Sequence, residues 1–164
     1  MMRNFSHQVE YWMLPPTMGI RRRPVFSIGL HDYGHRPHGI LDLLEIVGGM
    51  VLWVMMTPWP RPATRSVRLL SAAAFTFTLG TFHIVVSSLL SAACAYHLPR
   101  TFYYIVFNVT GACCYVLSSS LVARDMHRFS APSIAGLCTG GLHGLHFVYT
   151  FFKLYVDRRD HGWL

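Results

Sequence analysis

Apolar residues dominate four stretches of this chain, and within each stretch the polar and small residues recur at helical spacing. In the first, HGILDLLEIVGGMVLWVMMTP (38–58), Asp42, Glu45 and Gly49 share one face. The second carries Gly80, His83, Ser87, Ser91 and Cys94 in such a stripe. The third carries Asn108, Gly111 or Ala112, Tyr115, and Ser118 or Ser119. In the fourth, Thr139, His143, His146 and Thr150 align, with Gly136, Gly140 and Gly144 on the adjoining face. Recurrence at three and four residues marks one side of an α-helix. In an apolar helix that side is expected to face other helices, leaving Leu, Val, Ile and Phe to lipid.

Length turns these helices into membrane spans. No Asp, Glu, Lys or Arg occurs from Leu69 to Pro99, from Thr101 to Ala123, or from Phe129 to Phe152. Uncharged, mostly apolar runs of about 18 residues or more are long enough to cross a hydrocarbon core about 30 Å thick. The pattern predicts spans near 39–57, 70–95, 102–123 and 132–154. The connectors TPWPRPATRSVR, AYHLPRT and RDMHRFSAP are short. Short connectors make sequential helices antiparallel neighbours. Pro37, Pro58, Pro60, Pro99 and Pro132 fall at or just beyond the expected ends, where proline is tolerated. The expectation is an all-α membrane protein, an antiparallel four-transmembrane-helix bundle over 39–155. A polar tail, 1–38, precedes it and a short tail, 156–164, follows it.

Composition sharpens this picture. Of the 164 residues, 52% are hydrophobic and 13% charged, against about 25% charged in soluble domains. The net charge of +7 lies in tails and connectors, where it bears on topology and lipid headgroups rather than nucleic acid. With the N-terminus cytosolic, five of the 14 Lys and Arg residues (Arg61, Arg65, Arg68, Arg124 and Arg128) face the far side and nine the cytosol. That bias favours both termini inside, and the sequons at Asn4 and Asn108 are then expected to stay unused. No small-residue cleavage site follows the first apolar run, so that run reads as an uncleaved anchor. The RRRP run of the tail reads as a solvated cluster able to touch anionic lipid. Cys94, Cys113, Cys114 and Cys138 lie within or at the ends of spans, so no disulfide framework is implied. Cys94, near the cytosolic end of its span, is a candidate for palmitoylation.

The carboxylates in the first span need an explanation. Glu45 lies roughly 9 Å along its helix, at about 1.5 Å per residue. Asn108 sits at a similar depth in the third span, and His146 and Tyr149 in the fourth. A carboxyl group in hydrocarbon is costly unless protonated or partnered. The expectation is a polar clamp in which Asn108 bonds Glu45, with His146 or Tyr149 joining. Asp42, a turn nearer the surface, can reach Arg36 or a snorkelling Lys153. The competing reading of Glu45 is a proton or ion site.

His83 and His143, or His83 and His146, are the alternative: facing histidines can hold a haem. No zinc spacing is evident, so neither metal nor cofactor is expected. Gly136, Gly140 and Gly144 allow close helix packing, within the bundle or against a second copy. No catalytic constellation is present.

Two segments also resemble a known family. GILDLLEIVGG is similar to the opening of the MARVEL domain, a four-span module, and YYIVFNVTGACCYVLSSSLVARD resembles its third span. Together they frame a resemblance over about 39–155. The connectors lack the cysteine pairs and long loops of occludin- or physin-like members, which leaves the compact MAL and chemokine-like-factor types. The resemblance implies a non-enzymatic scaffold in membrane apposition, vesicle trafficking or cell–cell fusion, myoblast fusion included. Its partners would be lipids, other membrane proteins bound through their spans, and a second copy of the chain, at the plasma membrane or on secretory-pathway vesicles. The alternative function is a haem-binding or accessory subunit of an electron-transfer complex.

Overall fold

The computed structural model describes residues 33–34, 36–57 and 64–155. Most of the N-terminal tail, part of the first connector and the C-terminal tail lie outside the described residues, as do the expectations that fall on them. Every element among the described residues is helical: α1 (Pro37–Met56), α2 (Arg65–Leu90), α3 (Ala92–His97), a 3-10 turn (Leu98–Arg100), α4 (Phe102–Asp125) and α5 (Ala131–Tyr155).

Local chemistry sets the helix ends. Pro37 occupies the first turn of α1, where its missing N–H has no intrahelical partner to lose. Thr64 opens α2, its hydroxyl accepting from the Val67 N–H at 3.4 Å. Ser91 turns extended (φ −139°, ψ 115°), and its hydroxyl accepts from Cys94 N–H, which stops α2 and starts α3. The second long helix therefore runs 65–90 rather than 70–95, and Cys94 belongs to the short helix beyond it. Thr101 closes the 3-10 turn by donating to the Leu98 carbonyl (2.7 Å) and caps α4 by accepting from Tyr104 N–H. At the other end of α4, His127 takes a positive φ of 51°. The Arg128 N–H then reaches the Ala123 carbonyl and the His127 N–H that of Arg124, the paired bonds of a left-handed helix stop.

The four long helices form a ring in the order α1, α2, α4, α5, each packed on its two neighbours. Its two halves differ. Toward the end of α1 and the start of α2, Leu52, Met56, Val67, Leu70, Phe77, Tyr115 and Val122 build an apolar core. Toward the start of α1, the interior is polar. Asp42, Glu45, Asn108 and His143 are each 1% exposed, whereas Val47, Val54 and Leu117 are 58%, 60% and 65% exposed. Polar inside and apolar outside inverts the order of a soluble protein, and α1, α2 and α4 are each long and apolar enough to cross a membrane. The chain is an integral membrane protein.

The inward stripes of α1, α4 and α5 lie on the expected positions. In α2 they do not: the buried face is Ser66, Val67, Leu70, Ala74, Phe77, Thr81, Ile84, Val85 and Ser88. His83 is exposed and Gly80 and Ser87 are half-buried. Small and hydroxyl residues surround α2 on all sides, so polarity alone does not single out a face there. Its large Leu70, Phe77 and Ile84 carry the packing instead.

A buried carboxylate–histidine network as the candidate functional site

Asp42 and Glu45, one turn apart on the inward face of α1, stand at the centre of the polar half. His146 of α5 meets both: its Nδ1 lies 2.7 Å from Glu45 Oε1 and 3.8 Å from Asp42 Oδ1. Glu45 Oε2 has the His143 Nδ1 at 3.3 Å and accepts from the Thr81 hydroxyl of α2 at 3.4 Å. Asp42 accepts from two phenols, Tyr33 (2.5 Å) and Tyr104 of α4 (2.8 Å). The other three long helices thus each send a side chain to these two carboxylates of α1.

A second layer fixes the ring orientations. The Tyr104 hydroxyl also lies 2.9 Å from His146 Nε2, and His38 Nδ1 lies 3.2 Å from the same atom. His143 Nδ1 stands 3.1 Å from Asn108 Oδ1. An amide oxygen can only accept, so His143 carries its proton on Nδ1. The Asn108 amide nitrogen donates to the Tyr104 carbonyl (3.1 Å), back along its own helix. His143 stacks on Tyr115 (ring centroids 5.5 Å) and meets Phe77 edge-on, which seals the network from the apolar half.

Tyr33 closes the surface side. It precedes α1, is 4% exposed, and sits there because the chain folds back over Gly39, where any Cβ would strike the Tyr33 carbonyl oxygen. Burial, then the neighbouring Asp42 carboxylate, pushes the Tyr33 phenol up from its ordinary value, so it stays a neutral donor.

The structure brings Asp42, Glu45, Asn108 and His146 into one network, with different pairings from those expected. Glu45 bonds His146 directly, and Asn108 reaches it only through His143. Asp42 takes neutral phenols rather than Arg36 or Lys153; Lys153 instead donates to the Tyr149 hydroxyl at 3.4 Å. Tyr149 stands at the rim, its ring 4.8 Å from that of His38. His83 places Nδ1 on the Leu79 carbonyl of its own helix (2.8 Å) and faces outward. The structure therefore does not bring His83 together with His143 or His146.

Gly136 and Gly140 pack inside the bundle: a Cβ on the first would collide with Ser119 Oγ, and on the second would lie 3.0 Å from Tyr115 Cβ and Val116 Cγ2. Gly144 meets nothing within 4 Å. Cys94, Cys113, Cys114 and Cys138 are free thiols.

Four participants escape a reading of the sequence. Tyr104 precedes Asn108 by four residues on the same face, a detectable signal. Thr81 belongs to the unexpected face of α2, and Tyr33 and His38 lie at or before the first turn, where helical periodicity says nothing. Comparison of the chain with protein-family models, with curated proteins and with solved structures finds no match.

Proposed function

We propose that this protein is a non-enzymatic four-span membrane scaffold of the MARVEL type, acting in membrane apposition, vesicle trafficking or cell–cell fusion. One observation carries the reading: around Asp42 and Glu45, buried polar side chains from all four long helices are bonded to one another, so this polar centre holds the helices together. Intramembrane carboxylates that bind each other's neighbours this way tie spans into a fixed bundle. In this reading α5 is the fourth crossing. It is 25 residues long, and Ile134, Leu145, Val148 and Phe152 give it an exposed apolar face. Both termini then lie in the cytosol, and the ligands are lipids and the spans of other membrane proteins.

Glycosylation mapping tests the arrangement. An acceptor site carried outward on a flexible insert between Met126 and Ser130 is expected to be glycosylated in microsomes. The same insert at either terminus is expected to remain unmodified. Modification at the C-terminus would place α5 on one side of the membrane and overturn the four-span reading.

A further inference from the structure

We propose that Asp42, Glu45 and His146 form a binding site for a divalent transition-metal ion of the zinc type, buried inside the bundle. One donor atom from each of the three residues lies within 4.8 Å of the other two, and all three residues are buried. The set joins two carboxylate oxygens to one imidazole nitrogen. Imidazole and carboxylate together suit zinc and its neighbours in the transition series, whereas calcium and magnesium prefer all-oxygen shells. Three protein ligands are the count found where a fourth position falls to water or to a second carboxylate oxygen.

Charge argues in the same direction. Among the described residues, the chargeable partners of the two carboxylates are His143 and His146, and each proton on these imidazoles brings only one positive charge. A divalent ion held by Asp42, Glu45 and a neutral His146 gives a site of zero net charge, the state hydrocarbon tolerates best. That step rests on the four-span reading; the ligand geometry does not.

The surrounding hydrogen bonds already fit a metal on His146 Nδ1. The ring's other nitrogen then carries the proton and donates to the Tyr104 oxygen at 2.9 Å, and Tyr104 donates its own proton to Asp42 at 2.8 Å. Tyr104 is thereby a positioning residue, orienting both the histidine and a carboxylate ligand. Outer partners of this kind affect metal affinity by about 10–100-fold. Spacing could not disclose the site, because His146 stands 101 residues from Glu45 in the chain.

The test uses the full chain without a polyhistidine tag, purified in mild detergent, stripped with chelator and returned to zinc chloride or magnesium chloride. Expected are one zinc ion per chain by elemental analysis and a rise in unfolding temperature with zinc but not magnesium. His146→Gln and Asp42→Asn should lose that stoichiometric zinc, Tyr104→Phe should bind about 10–100-fold more weakly, and His83→Ala should match the wild type. A monodisperse wild type that binds no zinc overturns the proposal, even where glycosylation mapping supports four spans. Stoichiometric zinc retained by folded His146→Gln places the ion elsewhere and overturns it equally. Where His146→Gln fails to fold, the wild-type stoichiometry and Tyr104→Phe decide.

Discussion

Glu45 and His146 meet at 2.7 Å across the first and last helices of the bundle, 101 residues apart in the chain. Neither residue has solvent to turn to, being 1% and 0% exposed. The pair helps close the ring of helices, adding a polar tie where α1 and α5 already pack side by side. Closure by a polar contact suits a membrane interior, where apolar contacts give little preference for helix over lipid.

Truncation and isosteric replacement of Glu45 should therefore differ. Glu45→Ala leaves the facing imidazoles and Thr81 without their acceptor, and breaking a buried charged pair by removing one partner costs about 3–5 kcal/mol. Glu45→Gln keeps an oxygen for one neighbour, and single interhelical bonds in membranes average about 0.6 kcal/mol. We expect a sharply lower monodisperse yield and unfolding temperature for Glu45→Ala, in chelator, and a mild drop for Glu45→Gln. Equal and small losses would remove the clamp as a structural device.

Tyr33 predicts an alkaline response. Its phenol donates to Asp42 at 2.5 Å from outside the first helix, and its pKa is raised by burial first and then by Asp42. A phenol raised in the folded state contributes stability in full below its ordinary pKa of 10.0 and loses it as pH climbs towards the folded value. Unfolding temperature should thus fall above that pH in the wild type, and less steeply in Tyr33→Phe. At neutral pH the same substitution removes a bond to a carboxylate, worth about 1.5–3 kcal/mol. Parallel alkaline limbs in the two proteins would show that Tyr33 does not couple to the fold.

The outward position of His83 bears on the haem alternative. Its side chain is bonded to the Leu79 carbonyl on the exposed face of α2, while His143 and His146 are turned into the network. The purified protein should show no Soret absorption, and His83→Ala should leave the unfolding temperature within experimental scatter. A Soret band that His83→Ala abolishes would require a rotation of α2 that returns this residue to the interior.

How much of this was legible beforehand follows from what each signal reports. Three inward faces could be read because their polar residues are few and large: Asp42 and Glu45 in α1, Asn108 and Tyr115 in α4, His143 and His146 in α5. The α2 face could not, because Thr76, Thr78, Ser87 and Ser88 spread polarity around the helix. Depth along antiparallel helices set Glu45, Asn108, His146 and Tyr149 at one level; the structure gathers the first three into one network and leaves Tyr149 at its rim. Depth could not choose among partners at that level, which depends on ring rotation within an ångström. Hence the bond expected from Asn108 to Glu45 is replaced by one from His146, and Asn108 is left to orient His143.

The three glycines of α5 separate interior packing from self-association. They share a face by spacing, yet their surroundings differ. A Cβ at Gly140 would lie 3.0 Å from both Tyr115 Cβ and Val116 Cγ2, on the rigid body of α4. Overpacking of that kind costs about 1–3 kcal/mol, so Gly140→Ala should lower the unfolding temperature. At Gly144 the added methyl meets nothing within 4 Å, and trading glycine for alanine in a compatible helix gains about 0.4–1 kcal/mol through the unfolded chain. Gly144→Ala should then be neutral or stabilising, with an unchanged mass by light scattering in detergent. A fall in mass from dimer to monomer in Gly144→Ala alone would instead make that open position the seat of a second copy, with Gly136 and Gly140 left to the bundle's own packing.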